Sequence, residues 1–232
     1  MTPPKISIII PVYNHAEELI PCCQSISKQT FQDFEVIIVD DGSTDAIENT
    51  LKECGKIFPS LQYQRIEHSG APVARNTGFK LSRGEMVIFC DADVQMIPTM
   101  LEKMVRALSE HPSAAYVYSR FRFGFKKMAA PDFDSAILRV NNFIHTTSLI
   151  RREAFPGFDE TLRRFQDWDL WLTLLEKGSV GIAIKEELFR VSTHYGKMSR
   201  WLPSFAYKLF PWLPTVRQYN KARAIIINKH HR

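Results

Sequence analysis

Short runs of consecutive apolar residues alternate with amphipathic stretches in the N-terminal part of the chain. Such runs are shorter than ordinary helices and predict strands buried on both faces, as in a parallel sheet covered by helices. They lie at residues 5–10, where Pro11 is expected to end the strand, and at 34–39 and 86–90, while 61–66 alternates like a half-buried strand. The stretches between them predict helices over about 17–29 and 46–56 and a third that opens near residue 70. This alternation predicts an α/β fold with right-handed βαβ connections.

The run at residues 86–90 ends on two carboxylates, Asp91 and Asp93. Ligands of open α/β sheets bind beyond the carboxyl ends of the strands, so this pair is expected to face a ligand. Two carboxylates in a partly dry cleft repel each other unless a cation lies between them. A divalent metal ion that carries a phosphate group removes this repulsion. The alternative is that the pair ends the strand and caps a helix beginning near Pro98.

The strand-end position distinguishes this carboxylate pair from two others with the same spacing. These are Asp132 with Asp134 and Asp167 with Asp169. The loops at residues 11–14 and 40–43 follow the first two predicted strands and so lie at the same edge of the sheet as 91–93. Together the three loops predict a nucleotide site. The loop 11–14 has no glycine to cradle a triphosphate, which disfavours a sugar nucleotidyltransferase, and no GxGxxG follows a predicted strand, which disfavours a dehydrogenase.

The chain has 232 residues, 45% of them hydrophobic and 24% charged, and its net charge of +5 is unevenly placed. Residues 188–232 contain nine Lys or Arg and no Asp or Glu, which leaves 30 − 9 = 21 basic and 25 acidic residues, a net charge of −4, in the rest. A mildly acidic body with a basic tail indicates an anionic partner for the tail, either membrane lipid or nucleic acid.

Aromatic and apolar residues recur at helical intervals in this tail, at Trp201, Phe205, Leu209 and Trp212. Aromatic anchors with basic neighbours are typical of a segment that lies in a membrane interface. We therefore predict that the tail contacts an anionic membrane surface and that no nucleic acid is bound. The alternative is a tail that folds back on the body with its apolar face buried.

The cysteines and the N-terminus indicate the compartment. The four cysteines form neither a CxxC pair nor a disulfide framework. The N-terminal residues lead straight into the first strand without a signal-peptide layout, and no apolar run reaches the roughly 18 residues of a membrane span. We therefore predict a cytoplasmic protein, peripheral on the inner face of the cell membrane.

Six short motifs follow one another along the chain. They are residues 7–14 (SIIIPVYN), 39–45 (VDDGSTD), 74–78 (ARNTG), 91–93 (DAD), 157–160 (GFDE) and 166–172 (QDWDLWL). In this order they resemble the pattern of glycosyltransferase family 2, over roughly residues 5–200. The resemblance implies a GT-A fold, a Rossmann-like and mostly parallel sheet flanked by helices. It also implies an inverting transfer from a nucleotide-activated sugar.

The resemblance implies roles for side chains at the nucleotide. Pro11 and Tyr13 would flank it, and Asp41 would accept a hydrogen bond from the base. Arg75 would stand near the nucleotide, and Asp91 would face the ribose or the metal ion.

The resemblance also implies the metal ligands and the catalytic base. Asp93 would hold Mn²⁺ or Mg²⁺ on the diphosphate, with Asp91, and His194 matches a late histidine that is a metal ligand in some relatives. Asp167 aligns with the catalytic base, and Gln166 before it departs from the family, which often has Glu. Independently of the family, the acceptor hydroxyl must lose a proton and a carboxylate is suited to take it. An Asp in the first turn of the helix predicted over 167–177 is otherwise simply a good cap.

The stretch at residues 121–127 interleaves three phenylalanines with basic residues. Aromatic rings stack on sugars and cations hold anionic groups, which fits part of an acceptor site. An edge strand with a solvated basic face explains the stretch equally well.

From these patterns and the resemblance we predict a metal-dependent glycosyltransferase. Its donor would be a nucleotide-diphosphate sugar, and a UDP-sugar is the first choice. The resemblance to the family implies a saccharide or lipid-linked saccharide as the acceptor, in cell-surface polysaccharide synthesis. Residues 1–199 would form the catalytic domain, its nucleotide part at about 1–95 and its acceptor part at about 96–199, and 200–232 the basic amphipathic tail. The alternative is a non-catalytic nucleotide-sugar-binding partner of another transferase at the membrane.

Overall fold

The computed structural model describes residues 2–192 and 212–230. The strands are β1 (Ile6–Val12), β2 (Phe34–Asp40), β3 (Gln62–Arg65), β4 (Met86–Phe89), β5 (Val94–Met96), β6 (Tyr116–Phe123), β7 (Lys126–Met128), β8 (Leu149–Arg151) and β9 (Gly181–Val191). The helices are α1 (Ala16–Ser27), α2 (Ile47–Ile57), α3 (Ala71–Leu81), α4 (Met100–Glu110), α5 (Ser135–Val140), α6 (Gln166–Glu176) and α7 (Pro214–His230). The strands and helices predicted in the N-terminal part are confirmed, with ends shifted by one or two residues.

The strands form one sheet in the order β3-β2-β1-β4-β8-β6-β9-β5, and β7 pairs with β6. Strands β1 to β4 pair in parallel, which confirms the predicted βαβ arrangement in this half. Beyond β4 the pairing is mixed, because β8 runs antiparallel to β4 and β6 and β5 runs antiparallel to β9, whereas β6 and β9 are parallel. The parallel half carries the loops predicted to bind the nucleotide.

Strand β1 continues through Pro11 to Val12, so the prediction that Pro11 ends this strand is wrong. Proline lacks the backbone N–H that a central strand normally donates. Here the carbonyl of Ile9 accepts from Cys90 on the β4 side, and the carbonyl of Val12 accepts from Asp41 on the β2 side. Backbone groups alternate between the two sides of a strand, so the nitrogen of Pro11 faces the β4 side. The pairing with β4 ends at Ile9, and the missing N–H therefore removes no ladder hydrogen bond.

Helices on both faces of the sheet enclose two apolar cores. Helices α1, α2 and α4 pack on the face that carries Ile8 and Ile88, and α3, α6 and α7 pack on the face that carries Ile9. Gly78 lets α3 approach β1 closely, because a Cβ at this position would lie only 2.4 Å from Cγ2 of Ile9. The close packing brings Arg75, one turn earlier on α3, to the carboxyl edge of the sheet.

Helix α7 packs on the body of the protein. Val216 and Ile226 are fully buried, and the ring of Tyr219 meets that of Phe165 edge-on at 5.1 Å between centroids. For α7, therefore, the tail folds back on the body. Of the aromatic stretch predicted to contact a membrane, Trp212 is 59% exposed, and residues 201–211 lie outside the described residues. Within the part that is described, no helix is long and apolar enough to span a bilayer.

Acidic residues of the body compensate the charge at the end of α7. The ammonium of Lys229 lies 2.7 Å from Oδ2 of Asp159 and 2.8 Å from Oδ1 of Asp169, and its hydrogen bond lowers the pKa of Asp159 to about 2. The ring nitrogens of the buried His230 lie 2.7 Å from Asp169 and 2.8 Å from Glu176. Uncompensated charge, the reason for predicting a membrane contact, does not apply to this end of the tail.

Replacing Ile226 by Ala should lower the free energy of unfolding by about 2–5 kcal/mol, because the change leaves a cavity in the core beneath α7. Its neighbour Ile225 is 55% exposed and provides a matched control, with an expected change within about 0.5 kcal/mol. Urea unfolding of both variants measures the difference. Small and equal losses would show that α7 does not belong to the folded body.

Candidate active site

Asp91 and Asp93 lie in the turn between β4 and β5, beyond the carboxyl end of β4 as predicted. Helix α4 begins later, at Met100, and its N-cap residue is Thr99. The alternative in which the two carboxylates cap this helix is therefore wrong.

The other two carboxylate pairs have different surroundings. Asp134 caps α5 by accepting two backbone N–H groups, and Asp132 is 90% exposed at its side chain and pairs with Lys185. In the third pair, Asp169 is buried against α7, and only Asp167 lies near Asp91. The strand-end context thus separates the first pair from the second, as expected.

Arg75 joins the two halves of the site. Its Nη2 donates to Oδ1 of Asp91 at 2.7 Å, and its Nη1 donates to Oε1 of Gln166 at 3.0 Å. The guanidinium lies over the ring of Phe158, 5.3 Å from the centroid. Burial raises the pKa of Asp91, but the charge and hydrogen bond of Arg75 outweigh burial and hold this pKa below its usual value. Asp91 is therefore an ionised partner of Arg75.

Asp93 lies towards α1 and has no comparable partner. Burial raises the pKa of this carboxyl to about 7, and the negative charges of Asp91 and Glu18 act in the same direction. None of the ion pairs found within residues 2–192 and 212–230 includes Asp93, whereas Asp91 has Arg75. Asp93 borders a pocket of about 270 Å³ whose other lining residues are Glu17, Glu18, Pro21, Gln95 and Ser192. The side chains of the described protein leave this carboxylate uncompensated.

Asn76 connects two of the sequence motifs. Its side-chain amide donates to the carbonyl of Phe158 and to Glu160, both at 2.9 Å, and its Oδ1 accepts the N–H of Phe158 at 2.9 Å. The motif at 157–160 is thereby fixed to α3, and the ring of Phe158 is held beneath Arg75. These contacts explain why Arg75 and Asn76 occur side by side.

The end of β1 presents the two residues predicted to flank the nucleotide. Pro11 is buried within the sheet, and Tyr13 is 39% exposed beyond it. The ring of Tyr13 stacks on His68, with centroids 4.0 Å apart and an interplanar angle of 19°. This aromatic pair forms an exposed platform at the carboxyl edge of the sheet.

Asp41 shapes the loop that carries His68. It is 2% exposed, and its two oxygens accept the backbone N–H groups of Ser69 at 2.7 Å and Gly70 at 2.9 Å. The Nδ1 atom of His68 lies 2.9 Å from Oδ2 of Asp41. A contact of Asp41 with a nucleotide base stays a prediction, and any such bond would be additional to these three.

Asp167 is held in place at the start of α6. Its Oδ2 accepts the amide of Asn142 at 2.7 Å, and its Oδ1 accepts the N–H of Trp168 at 2.9 Å. The Oδ1 atom of Asn142 accepts the N–H of Ile144 at 3.0 Å, which fixes the orientation of the amide. Burial raises the pKa of Asp167, while the N–H of Trp168 and the charge of Arg75 act against burial. A carboxylate with a raised pKa is a stronger base than an ordinary one.

His145 lies near Asp91, although no sequence motif predicts this. Burial lowers its pKa to about 4, so the ring is neutral, and the charge of Asp91 acts on it. Its Nδ1 accepts the N–H of Thr147 at 3.0 Å, which places the ring proton on Nε2. The ring packs against Phe121 and Phe189, with centroids 4.7 Å and 5.0 Å away. No motif marks His145, because its proximity to Asp91 arises only when β8 pairs with β4.

Comparison with known proteins identifies the family. The profile of glycosyl transferase family 2 matches residues 7–159. An uncharacterized glycosyltransferase of Rickettsia bellii is 30% identical over 201 residues, which are 81% of this chain and 28% of the relative. The chain belongs to glycosyl transferase family 2, as its motifs predict. It spans between 28% and 33% of the length of this relative and of two other Rickettsia glycosyltransferases.

Two solved structures share the fold. TarS 1–349 of S. aureus in complex with UDP-GlcNAc has a TM-score of 0.73 and 19% identity, over 97% of this chain and 72% of that one. The mannosyltransferase PcManGT from Pyrobaculum calidifontis, in complex with GDP-Man and Mn²⁺, has a TM-score of 0.66 and 20% identity, over 84% and 59% of the two chains. The predicted GT-A-like α/β fold is confirmed.

Proposed function

We propose that the chain transfers a sugar from a nucleoside diphosphate to a hydroxyl group of a saccharide or lipid-linked acceptor. The reaction would invert the anomeric carbon and depend on Mn²⁺ or Mg²⁺. UDP-GlcNAc and GDP-Man, the ligands of the two solved structures, are the first donors to test. The proposed setting is the assembly of cell-surface polysaccharide at the cytoplasmic face of the membrane.

The bridge made by Arg75 carries this proposal. One guanidinium contacts Asp91 on the donor side at 2.7 Å and Gln166, the residue before Asp167, at 3.0 Å. Arg75 therefore lies between Asp91 and the residue next to Asp167, and the charge of Asp91 acts on Asp167, which supports a donor side and an acceptor side that adjoin each other. A glycosyl transfer requires both groups at one anomeric carbon.

The residues at Asp93 fit a hard divalent cation. The carboxylate is uncompensated by the described side chains, and Mg²⁺ or Mn²⁺ prefers oxygen ligands of this kind. Among residues 2–192 and 212–230, no three His, Cys, Asp or Glu side chains form a group that could hold a metal ion. The remaining ligands would be diphosphate oxygens, water and His194, which lies outside the described residues. When bound, the cation neutralises the negative charge that develops on the leaving diphosphate.

The chain's own residues would perform the other steps. The platform of Tyr13 and His68 would hold the nucleotide base near Asp41, and Arg75 would keep Asp91 ionised and directed towards the donor. Asp167 would take the proton of the acceptor hydroxyl. At the same time the hydroxyl oxygen of the acceptor would bond to the anomeric carbon, and the bond from that carbon to the diphosphate would break. A positioned base contributes about 10²–10⁴-fold to the rate of such a step.

Thermal stabilisation by nucleotide sugars with and without Mn²⁺, followed by assay of nucleotide release, tests the proposal. We expect one donor to stabilise the protein only with the metal and then to release its nucleotide. If a donor binds but is neither transferred to any acceptor nor hydrolysed by water, the result would favour the alternative of a non-catalytic binding protein. Absence of binding by any nucleotide sugar would contradict both.

Asn142 orients the proposed base, so Asn142→Ala should change the pH profile of kcat. A hydrogen bond to an ionised carboxylate favours the ionised form, and its loss raises the pKa of Asp167 further. The base must be ionised to act, so the acid limb of kcat should move to higher pH by about one unit. The KM for the donor should stay unchanged.

The exposed neighbour Asn141 provides a matched control, because Asn141→Ala changes the same loop without touching Asp167. We expect its pH profile to coincide with that of the wild type. If Asn142→Ala lowers kcat equally at every pH, the amide serves only the folding of the loop.

A further inference from the structure

The turn between β6 and β7 exposes an aromatic residue completely. Phe125 is 102% exposed, more than any other large apolar side chain of the described part. It is followed by Lys126 and Lys127, both of which are exposed. A fully solvated phenylalanine between a turn glycine and two lysines contributes nothing to the core, so its side chain is available to a partner.

A row of basic side chains continues from this turn across the sheet. Lys127 of β7 lies opposite Arg122 of β6, which in turn lies opposite Arg190 of β9. Residues in register on neighbouring strands share one face of a sheet. Glu187 pairs with both arginines, at 2.9 Å and 3.2 Å. One carboxylate offsets the two arginines, so the row of Arg122, Lys127 and Arg190 keeps a net positive charge.

The turn lies at the same edge of the sheet as the candidate active site. The N–H of Gly124 donates to the carbonyl of Val191 at 3.2 Å, and the N–H of the next residue, Ser192, donates to the carbonyl of Asp93 at 2.9 Å. At the other side of the same strand β6, the ring of Phe121 packs on His145. A surface that contacts this turn is therefore within reach of the proposed acceptor side.

We propose that the β6–β7 turn (residues 124–127) and the basic row (Arg122, Lys127 and Arg190) form the surface by which the protein docks on an anionic membrane. Lysine and arginine near anionic lipid are attracted to it, and the attraction is screened by salt. An aromatic side chain at the level of the headgroups adds a contribution to the binding free energy that salt does not screen. A soluble polyanion would need the cations but not the fully exposed Phe125, which favours the membrane.

The end of α7 is not available to a membrane in the same way, because Lys229 and His230 are held by Asp159, Asp169 and Glu176. The predicted membrane contact of residues 201–211 stays a prediction. Membrane docking through the β6–β7 turn would place a lipid-linked acceptor beside Asp167. That consequence rests on the proposed function, whereas the docking surface itself does not.

Co-sedimentation with vesicles tests the proposal, using phosphatidylcholine alone and mixed with phosphatidylglycerol. The double variant Lys126→Gln, Lys127→Gln should bind the mixed vesicles about 30-fold more weakly at low salt, since each cation contributes about fivefold. Phe125→Ser should remove the binding that persists at high salt. Thermal unfolding and nucleotide-sugar binding of the variants should match the wild type.

A control pair removes the same charge from the exposed surface of α7. Arg217→Gln with Lys221→Gln should leave vesicle binding within about twofold of the wild type, as expected for cations outside the proposed docking surface. The proposal is overturned if this pair weakens binding as much as the lysine pair does. It is also overturned if the wild-type chain does not bind the mixed vesicles at low salt. A third contradicting outcome is that Phe125→Ser converts a dimer into a monomer and leaves vesicle binding unchanged. Nucleotide-sugar binding is measured separately from vesicle binding. Failure of the docking proposal is therefore distinguishable from failure of the proposed transfer reaction.

Discussion

Asp93→Asn is expected to reduce sugar transfer on the order of 10³-fold, because the variant loses the carboxylate proposed to hold the metal on the leaving diphosphate. The substitution keeps the size of the side chain and removes the buried charge, so the fold should be retained. Calorimetric titration of UDP and GDP, with and without Mn²⁺, measures the effect on binding. The metal should strengthen nucleotide binding to the wild type and leave binding to the variant unchanged.

Asp132→Asn is the matched control for this experiment. Asp132 belongs to a pair with the same spacing, but its side chain is 90% exposed and pairs with Lys185. Its loss should alter neither transfer nor the effect of Mn²⁺ on binding. If the metal strengthens nucleotide binding equally in Asp93→Asn and in the wild type, Asp93 is not a metal ligand.

Asp167→Asn should lower kcat about 10²-fold or more while donor binding stays close to that of the wild type. The amide keeps the shape of the side chain but cannot accept the proton of the acceptor hydroxyl. Burial raises the pKa of Asp167, so its buried charge costs stability, but an amide leaves one of the donors Asn142 and Trp168 without an acceptor. The two effects oppose each other, so the variant should be about as stable as the wild type.

Asp169→Asn, two residues farther along α6, should lower stability and leave kcat close to that of the wild type. Asp169 is buried and accepts from Lys229 and His230, so its replacement removes one of the two carboxylate partners of each and should cost about 1–3 kcal/mol of stability. Thermal unfolding and steady-state kinetics of the two variants separate the roles. A kcat that is unchanged in Asp167→Asn at saturating acceptor would require another base.

The parallel half of the fold followed from the sequence because its signals are local. The apolar runs that became β1, β2 and β4 are recognisable without any partner strand, and helices fill the gaps between them. The mixed half was not predicted in detail, since β9 (Gly181–Val191) carries three consecutive charged residues at 185–187, which interrupt both an apolar run and an alternating pattern. The strand pairs with β6 on both sides of a bulge, which a local pattern does not encode.

The site was predictable to the same extent. Asp91 and Asp93 follow a strand directly, so their location could be inferred from chain order alone. Asn142 and His145 lie in a loop without a motif, and they reach Asp167 and the surroundings of Asp91 only through the packing of α6 and the pairing of β8. The error at Pro11 has a similar origin, because a proline is tolerated in a central strand only where the neighbouring strand has already ended.

The Arg75 bridge also links the segment that matches the family profile with the segment that follows it. The residues proposed to bind the nucleotide, from Pro11 to Asp91, and Asp93 lie inside the segment 7–159 that matches the family, whereas Asp167 and α7 lie beyond it. Two side chains of α3 reach the later segment, since Arg75 donates to Gln166 and Asn76 donates to Glu160. The later segment also adjoins the donor side, because β9 pairs with β5 and Ser192 borders the pocket of Asp93. A substitution of Gln166 can therefore reach Asp91 through one guanidinium, so the donor side and the acceptor side of the site are linked and not independent.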